Sequence, residues 1–459
     1  MRATRTTSHT SVANSARAFF ALALLGLLSL ASPARAEWLQ PDATYRDAQF
    51  QLRAAQRDTV GRPEDATRLD SLAVALLRLA RTDDAERLFR RVIELRPGDD
   101  AAEAGLGKLA LFAGREMEAE SLLSRAGTEL ETLRDLYGAR LRRGAWAEAA
   151  KLAEDVNDAG RVALLERMAQ EPPYQISGDS KVKLFWARHY PVPLVRVRLN
   201  GESVLMALDT GASDLLIDPM WASRGKVTML PGQSLAFWCG TRFAVRPALV
   251  QRLEIGGIKI ERVPAGILSL RRWSVEVNPH GETVAGVIGL NLLRRFTATL
   301  DYGKHWLELA PLAEGGAAAM SAGAVRVPFE LWGESELMVR GSVGGSRKLG
   351  LIVQTGIPGC GIAAPSEVFD ELGIKGGTVS RLVKGAGTWL QGRPWVGVTV
   401  PGIVVGPIAS DRVPGWSNAM DSSEMWRHGV RRDAILSGDF FEKARVTFDW
   451  AKREMAIER

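Results

Sequence analysis

Histidine and cysteine are scarce in this chain, whose 459 residues include 5 His and 2 Cys. No His-Glu-x-x-His sequence and no cysteine pair at zinc-binding spacing occurs, so we expect no metal site. The Gly-x-Ser-x-Gly sequence of serine hydrolases is also absent, and nothing indicates a cofactor. Cys239 and Cys360 permit at most one disulfide, and two free thiols are the simpler expectation.

Long apolar runs are also rare, and the main one lies near the N-terminus, from Ala18 to Ala31. It is shorter than the ~20 residues that a membrane-spanning helix needs. Arginines precede it, and Ala34-Arg35-Ala36 supplies the small-x-small pattern of a signal-peptidase site. The pattern predicts a signal peptide over residues 1–36, a mature chain that begins at Glu37, and a periplasmic or extracellular location.

The positive charge of the chain is concentrated in this leader. The formal net charge is +6, and residues 1–36 contain four arginines and no acidic residue, which leaves +2 on the mature chain. A nearly neutral chain is not typical of proteins that bind nucleic acid or anionic membranes. No later apolar run reaches spanning length, so we expect no membrane insertion of the mature chain.

Composition divides the mature chain into an α part and a β part. Residues 43–170 are rich in Ala, Leu, Arg and Glu, whereas Val, Ile, Gly and Trp dominate from about residue 194. Within the α part, Ala85 recurs as Ala119 after 34 residues and as Ala149 after another 30. Helix pairs that pack on the next pair give such a period.

The α part resembles a tetratricopeptide array of two to three degenerate repeats. This resemblance implies a surface that docks peptides or partner proteins, while a plain helical spacer stays open as an alternative. We expect residues 37–170 to fold independently as a helical unit.

The β part presents a carboxylate at the end of a strand. The sequence "LVRVRLNGESVLMALDTGASDLLID" (194–218) predicts an alternating strand, a hairpin turn at Asn200-Gly201 and a second apolar strand that runs into Asp209-Thr210-Gly211. Two apolar residues and a glycine, Val287-Ile288-Gly289, follow about 75 residues later.

This combination resembles the aspartic proteases of the retroviral type. The resemblance implies that Asp209 activates a water, that Thr210 bonds across to a partner lobe, and that Gly211 leaves room for backbone amides to hold the carboxylate. It also implies a peptide or protein substrate and a second lobe. In a paired site one carboxylate takes a proton from water while its protonated neighbour donates to the scissile carbonyl.

The same chain supplies a candidate for the second lobe. "LIVQTGIPGC" (351–360) aligns with the Asp-Thr-Gly turn at an offset of 145, and "TFDWAKREMAI" (447–457) aligns with "TLDYGKHWLEL" (299–309) at an offset of 148. The β part is therefore interpreted as an internal duplication. Thr355 and Gly356 are retained, but Gln354 stands where Asp209 stands in the first copy, and an amide does not ionise.

Three functional interpretations stay open at this point. Asp209 and Gln354 form the site of a weak peptidase, or the cleft survives as the peptide-binding groove of a pseudoprotease, or two chains pair their Asp209 residues. The third is the least favoured because an intramolecular partner has an effective concentration in the ~mM range. The sequence does not decide between an enzyme and a binding module.

The predicted fold is multidomain α + β, with a tetratricopeptide-like helical domain followed by two all-β retropepsin-like lobes that form a pepsin-like bilobal unit. The predicted boundaries are 1–36 for the signal peptide, 37–170 for the helical domain, 171–193 for a linker and first strand, 194–311 for the first lobe, 312–325 for a Gly/Ala-rich linker and 326–459 for the second lobe.

Overall fold

The computed structural model describes residues 45–187, 192–238, 241–278, 281–312, 323–357, 359–376, 395–420 and 422–459. The predicted signal peptide, Cys239 and most of the Gly/Ala-rich linker lie outside these ranges. Among the described residues, no helix has the length and apolar character to cross a bilayer. The same residues contain no cluster of His, Cys, Asp and Glu side chains suited to a metal ion.

The α part consists of helices joined by short turns. They are α1 (Tyr45–Thr59), α2 (Ala66–Arg78), α3 (Thr82–Leu95), α4 (Asp100–Phe112), α5 (Glu116–Leu123), α6 (Leu130–Arg143), α7 (Trp146–Leu152) and α8 (Val162–Gln170), with a 3₁₀ turn at Ala159–Arg161.

Capping residues mark where these helices begin and end. Asp65 precedes α2 and accepts a hydrogen bond from the N–H of Arg68 at 3.2 Å. Asp99 precedes α4 and accepts one from the N–H of Ala102 at 2.9 Å. Gly144, with φ of 77°, ends α6 in the left-handed conformation that glycine adopts without strain.

The recurring small residues of the α part are contact points between helices. Ala85, Ala119 and Ala149 are all fully buried. A Cβ on Gly107 would lie 2.6 Å from Cγ of Leu123, so that glycine lets neighbouring helices approach closely. Small side chains therefore lie where neighbouring helices of the α part contact each other.

One face of α4 and α6 is among the surfaces through which the helical region packs against the β part. Phe112 stacks on Trp332 with ring centroids 4.5 Å apart. The buried guanidinium of Arg142 donates to the carbonyls of Leu111 at 2.6 Å and Gly333 at 2.7 Å, and also to that of Leu331. Residues 42–459 accordingly form one compact unit, and part of the helical surface is covered by the chain's own β strands.

The β part divides into two regions along the chain. The first β region contains β1 (Gln175–Gly178), β2 (Val182–Phe185), β3 (Leu194–Leu199), β4 (Glu202–Leu208), β5 (Leu215–Ile217), β6 (Thr228–Met229), β7 (Ser234–Trp238), β8 (Thr241–Ile255), β9 (Ile258–Ile267), β10 (Val284–Ile288), β11 (Phe296–Asp301) and β12 (Trp306–Pro311), with helices α9 (Pro219–Arg224), α10 (Arg271–Val277) and α11 (Leu290–Leu293).

The second β region contains β13 (Val325–Trp332), β14 (Glu336–Val343), β15 (Leu349–Gln354), β16 (Ile362–Ala364), β17 (Val396–Val400), β18 (Ile403–Val405), β19 (Ile408–Ser410), β20 (Val413–Ser417), β21 (Ala434–Ser437), β22 (Arg445–Asp449) and β23 (Glu454–Glu458), with helix α12 (Ser366–Glu371) and 3₁₀ turns at Ser422–Trp426 and Gly438–Phe441.

Both regions pair their central strands in the same way. In the first, β10 runs parallel to β4, with Ile288 opposite Leu208, and antiparallel to β5. In the second, β21 runs parallel to β15, with Leu436 opposite Val353, and antiparallel to β16. In each region the strand that leads into the Thr-Gly turn, β4 or β15, therefore lies beside a parallel strand, β10 or β21.

One sheet joins the two regions. Its strands follow the order β13-β23-β22-β11-β12-β2, so β22 of the second region lies beside β11 of the first. At the middle of this pair Thr299 is opposite Thr447, and their hydroxyl oxygens are 2.9 Å apart. The two regions therefore meet through backbone pairing as well as side-chain contacts.

Candidate active site

The Asp209 turn is positioned by a buried strand. All residues of β4 from Val204 to Leu208 are buried, because this strand lies between β3 and β10. At its end the N–H of Asp209 donates to the carbonyl of Ile288 at 3.1 Å, which fixes where β4 gives way to the turn. The hairpin before it turns at Asn200 and Gly201, whose φ angles are 47° and 94°.

The Gln354 turn occupies the corresponding place in the second region. Gln354 is the last residue of β15 and lies opposite Ser437 of the parallel strand β21. Its side chain reaches across to the first turn, since a Cβ on Gly211 would lie 2.6 Å from the amide carbon of Gln354. The amide of one turn therefore packs over the glycine of the other.

Four hydrogen bonds between threonines and backbone hold the two turns together. The hydroxyl of Thr210 donates to the carbonyl of Val353 at 2.7 Å and accepts from the N–H of Thr355 at 3.2 Å. The hydroxyl of Thr355 donates to the carbonyl of Leu208 at 3.0 Å and accepts from the N–H of Thr210 at 3.1 Å. All four bonds are buried, and they are reciprocal between the turns.

The Asp209 carboxylate is held by both turns at once. Its Oδ1 accepts a hydrogen bond from the N–H of Gly211 at 2.7 Å and another from the N–H of Gly356 at 3.0 Å. A Cβ on Gly356 would overlap the Asp209 carboxyl group, so only glycine allows this approach. The second turn lacks a carboxylate of its own, yet it supplies a donor to the carboxylate of the first.

The surroundings of Asp209 favour its neutral form. Its side chain is 9% exposed, and burial raises its pKa above the ordinary value, although the N–H groups of Gly211 and Gly356 act in the opposite direction. Asp209 therefore keeps its proton to a higher pH than an exposed aspartate does.

We expect Asp209→Asn to be more stable than the wild type at neutral pH. Because the folded-state pKa is raised, the unfolded chain ionises first, and wild-type stability falls as pH rises from about 3.8 toward the folded-state pKa. Asparagine does not ionise, and its Oδ1 can still accept both glycine N–H bonds. Urea unfolding between about pH 3 and pH 8, a range that spans both states of the carboxyl, should show an advantage that grows with pH.

The exposed Asp411 provides the matched control for this experiment. Asp411→Asn should show no such growing advantage. A constant or shrinking difference between Asp209→Asn and wild type would contradict the raised pKa.

The second region departs from the first behind its turn. In the first region a Cβ on Gly289 would lie 2.7 Å from the carbonyl oxygen of Ala212, so the turn requires glycine there. In the second region the corresponding position is Ser437, which is fully buried and whose hydroxyl donates to the carbonyl of Cys360. The Cys360 thiol is free and buried, and burial raises its pKa.

Several polar groups near the site were not identified from the sequence. The hydroxyl of Tyr302 is buried and has no hydrogen-bond partner among the described residues. Its ring lies 3.2 Å from the position of a Cβ on Gly438. Burial, with a smaller contribution from Glu442, raises the pKa of neighbouring Asp439 to about 7. The offset of 148 that aligns Thr299 with Thr447 also aligns Asn291 with Asp439. This alignment is the sequence feature from which Asp439 could have been identified as a residue near the site.

The segment that contains Asp209 matches a known protein family. Residues 195–292 match the family model described as aspartyl protease. Among solved structures, the chain is similar to the crystal structure of a retropepsin-like aspartic protease from Rickettsia conorii, with 18% identity over 30% of this chain and 98% of that chain, and a TM-score of 0.20. No curated protein matches the chain.

The family match ends before the second region begins. It contains the Asp209 turn and the strand β10 that supports it, whereas Gln354 and the rest of residues 326–459 lie outside it. The similarity therefore concerns the half of the site that carries the carboxylate.

Proposed function

We propose that this protein is a peptidase that uses a single carboxylate, Asp209, to activate the water that attacks a peptide bond. The observation that carries this proposal is the pair of N–H bonds from Gly211 and Gly356 to one oxygen of Asp209. They orient the carboxyl group and leave Oδ2 as the oxygen that takes the proton from water.

In this mechanism Asp209 serves in turn as base and as acid. Ionised Asp209 takes a proton from water, and the resulting hydroxide adds to the scissile carbonyl carbon. The side-chain N–H of Gln354 donates to the carbonyl oxygen as negative charge develops there. Asp209 then returns its proton to the leaving amine, which completes cleavage without a second carboxylate.

The same mechanism sets the rate and its pH dependence. A neutral amide is a poorer acid than a protonated carboxyl, and the loss of one general acid slows a reaction by ~10²–10⁴-fold. We therefore propose slow turnover that increases with pH as Asp209 ionises. Because burial raises the pKa of Asp209, that increase lies above the ordinary value of 3.8.

We further propose that the β regions are two lobes of a pepsin-like unit that arose by internal duplication. Three features support this proposal: the matching pairings of β4 with β10 and of β15 with β21, the reciprocal threonine bonds, and the contact between Thr299 and Thr447. A dimer that paired two Asp209 residues would have to break the threonine bonds and the Gly356 donor.

An inactive binding module is the second candidate function. It is favoured by the neutral Gln354 and by the Ser437 hydroxyl bond to Cys360, which alters the turn that would carry the second carboxylate. In this alternative the cleft binds a peptide, and the tetratricopeptide-like helical region docks a partner protein. The partner would use helical surface other than the face of α4 and α6 that contacts Trp332 and Gly333.

Incubation with a mixed peptide library tests the two candidates against each other. A peptidase should yield new peptide ends by mass spectrometry, and Asp209→Asn, which keeps the shape of the side chain, should abolish them. A binding module should retain peptides on the immobilised protein without cleavage, and Asp209→Asn should leave that retention in place.

We also propose that the protein is exported and that its mature form begins at Glu37. The support is the leader over residues 1–36, with its arginines, apolar run and Ala34-Arg35-Ala36 site. N-terminal sequencing of protein from the periplasm or medium of the native host should give Glu37. Recovery of a chain that begins at Met1 in the cytoplasm would contradict the proposal.

A further inference from the structure

The segment from Asp158 to Arg161, here called the connector segment, lies between α7 and α8 and contacts both β regions. It includes the 3₁₀ turn Ala159–Arg161. Its residues take no part in the proposed chemistry, yet they bond to the loop behind the catalytic turn, to the hairpin between β13 and β14, and to the start of β7.

Arg161 ties the loop behind the catalytic turn to the second β region. Its guanidinium binds Glu334 through two hydrogen bonds of 2.8 and 2.9 Å and donates to Asp214 at 3.3 Å. Its side chain is 15% exposed. A bidentate contact of this kind fixes the orientation of the Glu334 carboxylate as well as its distance from the cation, whereas a lysine ammonium does not fix the orientation.

Asp214 is bound on its other side to α11, the short helix that follows the supporting strand β10. Its Oδ1 accepts a hydrogen bond from the side chain of Asn291 at 2.9 Å. The backbone of the same loop is held by Leu290, whose N–H donates to the carbonyl of Ala212 at 2.7 Å, and by Asn291, whose N–H donates to that of Ser213 at 2.8 Å. Arg161 therefore contacts a loop whose position is coupled directly to the Asp209 turn.

Asp158 and Gly160 hold the start of the β7–β8 hairpin. The hydroxyl of Ser234, the first residue of β7, donates to Asp158 at 2.8 Å, and the hydroxyl of Tyr137 donates to the other Asp158 oxygen at 2.8 Å. A Cβ on Gly160 would overlap the carbonyl of Gln233, so the two backbones are in close contact. Residues of this hairpin pack on the same apolar cluster as Ala212.

Charge explains why the Arg161 contact matters for the loop. Burial disfavours the guanidinium charge, but Glu334, followed by Tyr137, Asp214 and Asp158, more than offsets this and holds the pKa of Arg161 above its ordinary value. Without Arg161, Glu334 and Asp214 would be two partly buried carboxylates that repel each other. The loop behind the catalytic turn and the β13–β14 hairpin would then separate.

We propose that Arg161 is a positioning residue for the active site, through which the helical region keeps the loop 212–214 and the Asp209 turn in register with the second β region. The helical region is then a required part of the site and more than a docking scaffold. The expected effect on catalytic rate rests on the proposed peptidase function. The expected effect on the position of loop 212–214 does not depend on it.

The test uses the full chain with Arg161→Gln, Arg161→Lys and the control Arg167→Gln, which removes an exposed arginine of α8 that pairs with Glu171. Hydrogen exchange of peptides covering 208–217 should accelerate about tenfold or more in Arg161→Gln, as expected when a loop gains local openings. With a peptide substrate, kcat should fall by ~10–100-fold with a smaller change in KM, because misplacement of a catalytic group acts on the chemical step.

Arg161→Lys should show smaller changes in exchange and kcat than Arg161→Gln, because lysine keeps the positive charge but not the bidentate contact. Arg167→Gln should match wild type in both measurements. If Arg161→Gln fails to fold, hydrogen exchange and kinetics are compared with wild type in Arg161→Lys and in the isosteric Glu334→Gln instead. Wild-type exchange and kinetics in every Arg161 and Glu334 variant would overturn the inference. A wild-type protein without peptidase activity would defeat the proposed function, while the exchange measurement would still decide the positioning role.

Discussion

Gln354→Asp is expected to raise peptidase activity in the acid range by about 10²–10⁴-fold, the contribution that a general acid makes. Thr355 and Gly356 already hold the second turn in place, and the Gln354 side chain already lies over Gly211. The missing element is an ionisable group at that position. A carboxylate placed there would share one proton with Asp209, and the two groups would titrate apart.

The pH profile separates the substituted enzyme from the wild type. A shared-proton pair should give a bell-shaped profile within about pH 3–6, where paired carboxylates titrate. The wild-type rate should instead increase with pH as Asp209 ionises. A mixed peptide library assayed across pH, with products identified by mass spectrometry, measures both profiles.

Asp209→Asn in the Gln354→Asp background is the control, and it should abolish the new activity. If wild type and Gln354→Asp both fold and are equally silent, then Ile357, which stands where Ala212 stands in the first turn, and Ser437 have altered the second turn beyond recovery by one charge. The binding module would then be the better account. If wild type is active and Asp209→Asn removes that activity, the amide of Gln354 is sufficient for catalysis.

Thr210→Val is expected to destabilise the protein by about 2–6 kcal/mol, since it leaves two buried backbone groups unpaired at ~1–3 kcal/mol each. Those groups are the carbonyl of Val353 and the N–H of Thr355, each of which bonds to the Thr210 hydroxyl. Valine has nearly the shape of threonine, so the change removes the hydrogen bonds with little change in packing. The midpoint and slope of urea unfolding give the loss.

Thr299→Val is the matched control because it removes a buried threonine hydroxyl that also lies between the two β regions. That hydroxyl bonds to another hydroxyl, on Thr447, rather than to a backbone group of the described residues. Thr299→Val leaves one buried group, the Thr447 hydroxyl, without this partner, so the expected loss is ~1–3 kcal/mol, about half of that for Thr210→Val. Equal losses for Thr210→Val and Thr299→Val would show that the threonine contacts between the turns add no special stability.

Local sequence patterns were informative wherever a feature depends on neighbours along the chain. The spacing of Ala85, Ala119 and Ala149 predicted helices that bury small residues, and these residues are fully buried. The apolar run before Asp209 predicted a buried strand, and β4 is one. In each case periodicity and turn chemistry determine the local structure directly.

Contacts between distant segments were not accessible in this way. Arg161 is one of many arginines in the α part, and no spacing links it to Asp214 or Glu334. The face of α4 and α6 that contacts Trp332 has the periodicity of any buried helix face. An apolar periodicity predicts that a side chain is buried. It does not predict which segment contacts that side chain, because tertiary packing determines the contact.

The hydrogen bond from Gly356 to Asp209 has a consequence for how this site can change over generations. In a symmetric dimer both turns are translated from one coding sequence, so an exchange of aspartate for glutamine would remove both carboxylates together. Here the turns are encoded separately, so the first can carry the acid while the second carries only a donor to it. If the two turns arose by the proposed duplication, they are now complementary rather than redundant, and a substitution of Gly356 would weaken the Asp209 site although the second turn has no acid of its own.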